Sequence, residues 1–174
     1  MIRRAVILGM VIAGLLLYAA WQGVKQPEPV ASPLIKIDQQ GETSSAWSGP
    51  WACVHDKRTG LLWEVKTDNE SIHDGYWSYS WFDGQKGTEN RGDCYFEKDR
   101  CDTQDLSRRV NREATCGVTQ WRLPTRAELL SLVKTDTSPG EPTIATDFFP
   151  HTNRGDYWAS EGGQALEGAF RHLG

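Results

Sequence analysis

The sequence predicts an α+β domain behind an N-terminal membrane segment, and three observations carry that reading. An uncharged span runs from Ala5 to Val24 after Arg3 and Arg4. A hairpin pattern follows in "WACVHDKRTGLLWEVK". Two helix patterns then occupy the middle of the chain, "CDTQDLSRRVNREATCG" and "TRAELLSLV". A chain of 174 residues has room for one domain of ordinary size besides the span and a linker.

The expected division is a membrane anchor or signal peptide over 1–24, an extended linker over 25–50 and a folded domain over 51–174. Residues 5–24 are long enough at the helical rise to cross a bilayer. A signal peptide also starts basic and turns apolar, but its core is usually shorter, about 7 to 15 residues, and ends in small residues. Ala20 and Gly23 make a weak cleavage site, whereas Tyr18 and Trp21 suit a membrane interface. The anchor reading is therefore favoured, with Arg3 and Arg4 cytoplasmic at a bacterial inner membrane and the remainder periplasmic or extracellular.

The linker, from "KQPEPVASP" to "DQQGETSSAWSGP", has the Pro, Ser, Gln and Gly content of a solvated stalk. Within it, Leu34, Ile35 and Ile37 are a candidate first strand. The hairpin is expected as strands around Ala52 to His55 and Leu61 to Lys66, with Gly60 supplying the positive φ of the turn. From Thr67 to Arg100 the chain is polar and Gly-rich, interrupted by "YWSYSWFD", in which Trp77, Tyr79 and Trp81 share one parity. In a strand those rings would stand on one face.

Asp102 is placed to cap the first helix, Leu106, Val110 and Ala114 recur at four-residue spacing, and Gly117 is the expected stop. In the second helix Thr125 and Glu128 have capping-box spacing, Pro124 sets the start, and Leu129, Leu132 and Val133 form the apolar face. "FFP" reads as a buried loop and "YWAS" as a strand.

Formal charge is −4, and setting Arg3 and Arg4 aside leaves 17 basic against 23 acidic residues. That balance disfavours nucleic acid and other polyanions as partners. The four cysteines, Cys53, Cys94, Cys101 and Cys116, fall on the expected exported side and include no CxxC pair, so disulfides are favoured over zinc. Three pairings are open in principle.

At "TGLLWEVK", "CDT", "CGVTQWRLPTRAELLSLV", "FFPHT" and "YWAS", five blocks in order from about Trp51 to Ser160, the chain resembles the Lcl C-terminal domain family. The resemblance implies an irregular domain similar to C-type lectins, carried on bacterial exported or surface proteins. It also implies binding rather than chemistry, since the name-giving member is an adhesin. Family members usually continue with further strands after "YWAS", where this chain reads "EGGQALEGAFRHLG". Either a truncation or a strand donated by a partner or second copy is expected there.

The even cysteine count favours bridges over a Cys116 nucleophile served by His55, His73 or His151, and the expected pairs are Cys94 with Cys101 and Cys53 with Cys116. Trp121 and Leu123 are expected in the core, with Arg122 paired to a carboxylate such as Glu64. Trp77, Tyr79 and Trp81 are the leading recognition candidates, since aromatic faces stack on sugar rings and rim interfaces, with Arg122 and Arg126 as further candidates. Asp83, Asp93, Asp99 and Asp102 fall in or beside the aromatic loop region, but without the spacing of a calcium loop. The expectation is a glycan-binding or protein-binding envelope domain with no catalysis, cofactor or metal, and an oligomer is compatible with it. A structural subunit of a pilus or secretion assembly is the alternative.

Overall fold

A computed structural model of the chain describes residues 32–94, 100–135, 137, 138, 143–153 and 155–161. The chain divides into two units, Met1–Ser32 and Pro33–Gly174, and every described element belongs to the second. The expected membrane segment at 5–24 and the tail after Glu161 lie outside the described residues. Among the described residues no helix is long and apolar enough to cross a membrane.

The architecture is α+β. Three antiparallel strands, β1 (Leu34–Ile37), β2 (Cys53–Asp56) and β3 (Leu61–Glu64), form a sheet in the order β1-β2-β3. Helix α1 (Thr103–Glu113), a 3-10 turn (Thr115–Gly117) and helix α2 (Arg126–Leu130) follow. The short apolar patch of the expected stalk is thus an edge strand, and the folded unit begins well before Trp51. Its Leu34, Ile35 and Ile37 are too few to stand out against a polar composition. They become a strand because β2 offers a complete partner, with Leu34 opposite Asp56 and Ile37 opposite Cys53.

Register decides what each face of the sheet meets. Lys36, Val54 and Trp63 lie directly opposite one another. Their face, with Leu34, packs on the main core of Val65, Leu129, Ile144, Phe149 and Ala159, joined by Leu132 and Val133. The period of two sends Ile35, Ile37, Cys53 and Leu62 to the other face, where they meet Cys116 and Trp121. Lys36 is a charge on an inward face, and its Nζ lies 3.5 Å from the centroid of the Trp51 ring, a cation–π contact that replaces a carboxylate.

The hairpin turn is built on Asp56, whose carboxylate is fully buried. It accepts from the Arg58 backbone N–H at 2.9 Å, from Nε at 3.0 Å and from Nη2 at 2.9 Å. Burial opposes its charge, but the bonds to Arg58 outweigh this and hold its pKa below the ordinary carboxylate range. Gly60 closes the turn at φ +72°, as its position in "DKRTG" suggests.

Helix α1 starts as expected, the Asp102 side chain accepting from the Asp105 N–H. It does not run to Gly117. Ala114 turns left-handed at φ 50° and caps the helix, and the 3-10 turn follows with Cys116 at φ 55°. A continuing helix would carry Cys116 away from the sheet, whereas the turn delivers it to Cys53, to which it is bonded. Helix α2 has the expected capping box, Thr125 and Glu128 satisfying each other's backbone N–H. "FFP" holds the buried Phe149, but "YWAS" forms no strand. Its Ser160 N–H donates to Pro124 O, so the segment lies along the start of α2 without a ladder.

Both expected disulfides are present, Cys53 with Cys116 and Cys94 with Cys101, spanning 63 and 7 residues. Loop closure predicts unequal contributions, about 4 kcal/mol for the long bridge and about 2 kcal/mol for the short one. Urea unfolding of the Cys53→Ala/Cys116→Ala and Cys94→Ala/Cys101→Ala variants is expected to show that order. Equal losses would mean that chain entropy does not govern these bridges.

Candidate functional site

Residues 77 to 82 are extended but make only single bridges, Ser78 to Asp93, Ser80 to Asp102 and Phe82 to Gly87. Ser78, Ser80 and Phe82 are thereby tied to neighbouring loops, and Trp77, Tyr79 and Trp81 alternate with them. The three side chains are anchored to different segments. Trp77 Nε1 donates to Ser71 O at 2.8 Å and Tyr79 Oη to Ile72 O at 3.2 Å, which fixes both against the preceding loop. Trp81 Nε1 instead donates to Ala159 O at 3.0 Å, across most of the domain's sequence. All three are half-buried.

Trp81 has an aromatic partner that the sequence reading passed over. Trp158 Nε1 donates to Tyr79 O, so each of the two indoles is tied to a carbonyl of the other's segment. Between them lies a recess of about 320 Å³, lined by Ser80, Trp81, Gly87, Thr88, Arg91 and Trp158. That volume is at the small end of ligand sites, which run from roughly 300 to 1,000 Å³. Gly87, at φ +101°, lies so close that a Cβ there would sit 2.2 Å from Trp81 O. Only glycine lets the loop approach the ring.

Arg91 is exposed, and its backbone N–H donates to Ser80 Oγ at 2.9 Å. Its guanidinium makes no ion pair among the described residues. Trp158 sits in a segment read as a strand, and Arg91 in a Gly-rich loop without a motif. The signal that could have found the recess was Gly87 in a polar loop six residues after Trp81. A second, more polar hollow of about 230 Å³ lies beside the exposed Tyr76 and His151, where Asn153 Nδ2 already donates to Gly75 O.

The other candidates are engaged within the fold. Arg122 pairs with Glu128 rather than Glu64, through Nη1 to Oε2 at 2.8 Å and Nη2 to Oε1 at 2.7 Å. Glu128 is nearer because the capping box holds it at the start of α2, where Oε2 also accepts from the Thr125 N–H. The bonds from Arg122 and Thr125 hold the Glu128 pKa down to about 2. At Arg126 the backbone N–H donates to the Glu161 carboxylate at 2.9 Å, so the start of α2 already has an anion from its own chain. Trp121 is core as expected, its backbone clamped by Asn111 and its Nε1 donating to Thr115 O.

Glu64 belongs to a different cluster. His73 Nδ1 lies 2.6 Å from Glu64 Oε1 and Nε2 lies 3.0 Å from Glu113 Oε2, while Lys66 Nζ lies 2.9 Å from Glu64 Oε2. The imidazole thus ties the end of α1 to β3. Cys116 is oxidised, so His73 has no thiol to serve. Among the carboxylates read for calcium, Asp83 accepts from Gln85 and Lys86 N–H, and Asp102 from Asp105 and Asn90 N–H. Asp93 lies in the bridge to Ser78, and Asp99 lies outside the described residues. Among the described residues no three His, Cys, Asp or Glu side chains are grouped to hold a metal ion.

A family model for the Lcl C-terminal domain matches residues 52–171. The chain belongs to that family. Comparison with curated proteins and comparison with solved structures each gave no match. In this Lcl C-terminal domain, the match takes in the hairpin, both helices and the recess, while β1 precedes it.

The His73 brace makes stability depend on pH. Burial lowers the imidazole pKa, but Glu64 and Glu113 outweigh it and raise it above 6.5. A raised folded-state pKa contributes stability that is fully present below the unfolded value and fades as pH rises through the folded one. His73→Gln is therefore expected to be less stable than the wild type chiefly below about pH 6.5, with the gap closing as the pH is raised. Urea unfolding across that range measures it, and a gap that widened with pH would contradict the assignment.

Proposed function

We propose that this chain is a membrane-anchored, lectin-like domain of the bacterial cell envelope that binds glycan through the Trp81–Trp158 recess and performs no catalysis. The observation that carries the reading is the recess itself: two tryptophans, their indole N–H groups engaged by main-chain carbonyls, line it beside an arginine. Indole faces pack on the apolar face of a sugar ring, and buried aromatic anchors dominate binding energies. Membership of a family whose name-giving member is an adhesin supports the same class. In this reading Trp77 and Tyr79 support the loop, while residues 5–24 hold the domain at the inner membrane.

A second reading, a structural subunit of an envelope assembly, draws on Trp47 at 99% exposure and Tyr76 at 78%, large aromatics that the recess does not use. Protein interfaces are enriched in such residues. A glycan array probed with the full-length protein separates the two. Binding is expected, with a loss of roughly tenfold or more on Trp158→Ala and a circular dichroism spectrum that is unchanged. A silent array, together with envelope proteins whose co-purification is lost on Trp47→Ser, would replace the glycan reading by the assembly one.

A further inference from the structure

We propose that the recess selects a saccharide ring bearing a single carboxylate, held by Arg91. This rests on the glycan reading and gives it a ligand chemistry.

The inference follows from which groups at the recess are free to act. Both indole N–H donors are spent on main-chain carbonyls, Trp81 on Ala159 and Trp158 on Tyr79, so the two rings offer carbon surface alone. They can stack on a ring but cannot read its hydroxyls. The Ser80 hydroxyl is also occupied, since it accepts from the Arg91 N–H and faces Cys101 O at 3.4 Å. At Gly87 there is no side chain and no space for one. What remains among the described lining residues is Thr88, with its hydroxyl, and Arg91, the one charged residue of that lining.

Other arginines of the domain illustrate the contrast. Arg58, Arg108 and Arg122 each lie against a carboxylate two to six residues away in sequence. Arg91 has none among the described residues, yet its backbone is fixed by Ser80. A guanidinium presents a planar fork of donors that matches a carboxylate through two parallel bonds. Beside two stacking faces, such a fork suits an acid substituent on a ring that the indoles hold.

Charge argues for one such group and against many. Among the described residues the lining holds a single cation, the chain carries −4 overall, and the exposed Glu89 and Asp93 stand two residues to either side of Arg91. A polyanion would meet those carboxylates for every bond gained at Arg91. A ring with one carboxylate meets only the arginine.

The test compares two probes that differ in the acid alone, methyl glucuronide and methyl glucoside, titrated into the full-length protein and followed by tryptophan fluorescence and calorimetry. The glucuronide is expected to bind roughly tenfold or more tighter, as a charge-assisted pair should give. Arg91→Gln should remove that preference, bringing the two affinities within about a factor of two of each other, and Arg91→Lys should restore part of it. Among the described residues Arg91 is exposed and bonds through its backbone N–H, which both variants keep, so these variants should fold. Equal binding of the two probes, or a preference that survives Arg91→Gln, overturns the carboxylate while the glycan reading stands. Tighter binding of a polysulfated oligosaccharide, or of a peptide C-terminus in place of the glucuronide, also overturns it. If neither sugar binds and Trp158→Ala changes no array signal, the glycan reading itself falls.

Discussion

Everything in this domain is arranged around β2, a four-residue strand with almost no exposed surface. Cys53 and Val54 are adjacent and therefore point to opposite faces, and both are fully buried. Each face must be covered, and each is covered by a different part of the chain. The Val54 face takes α2 and the loops beyond it. The Cys53 face takes the end of α1, fastened there by the bond to Cys116. A short sheet of this kind has too little area to organise two layers by burial alone. The covalent tie compensates on one side, and on the other the fixed start of α2 does so.

Polar groups follow the same economy. Asp56 is taken out of water only because its own turn returns Arg58 to it, and Nη2 of the same arginine reaches Ser131 O at the end of α2. Lys36 is buried over an indole, and His73 closes a second link between sheet and helix. Each is a case of a polar or charged residue accepted in the interior because a partner is supplied, by its own turn for Asp56 and by another segment for Lys36 and His73. The domain is joined as much by these crossings as by its small apolar core.

Much of this was legible in the sequence, wherever the physical cause is local. The hairpin came from a turn flanked by apolar runs, the start of α1 from Asp102, and the start of α2 from Thr125 and Glu128 at capping-box spacing. The bridges came from the even cysteine count on the expected exported side. What could not be read depends on distant parts meeting. The end of α1 at Ala114 is set by where Cys116 must go. Arg122 chose Glu128 over Glu64 because a cap had already brought Glu128 near. Trp81 was identified from its parity, but its partner Trp158 lies 77 positions later and no spacing announces the pair. Arg91 matters because no carboxylate among the described residues pairs with it, which no motif encodes.

The two indole-to-carbonyl bonds carry one more consequence. Trp81 holds the 158–159 segment and Trp158 holds the 79–81 segment, so the recess exists only while a long loop of chain stays closed. Closing a loop of that length has an entropic cost that local structure does not repay. A ligand seated between the rings would bind the closed form alone, and occupancy would therefore act as a latch on the late segment of the domain. Recognition and the integrity of the fold would then be one equilibrium: a copy whose late segment has come undocked has no site, and a copy with its site filled resists undocking.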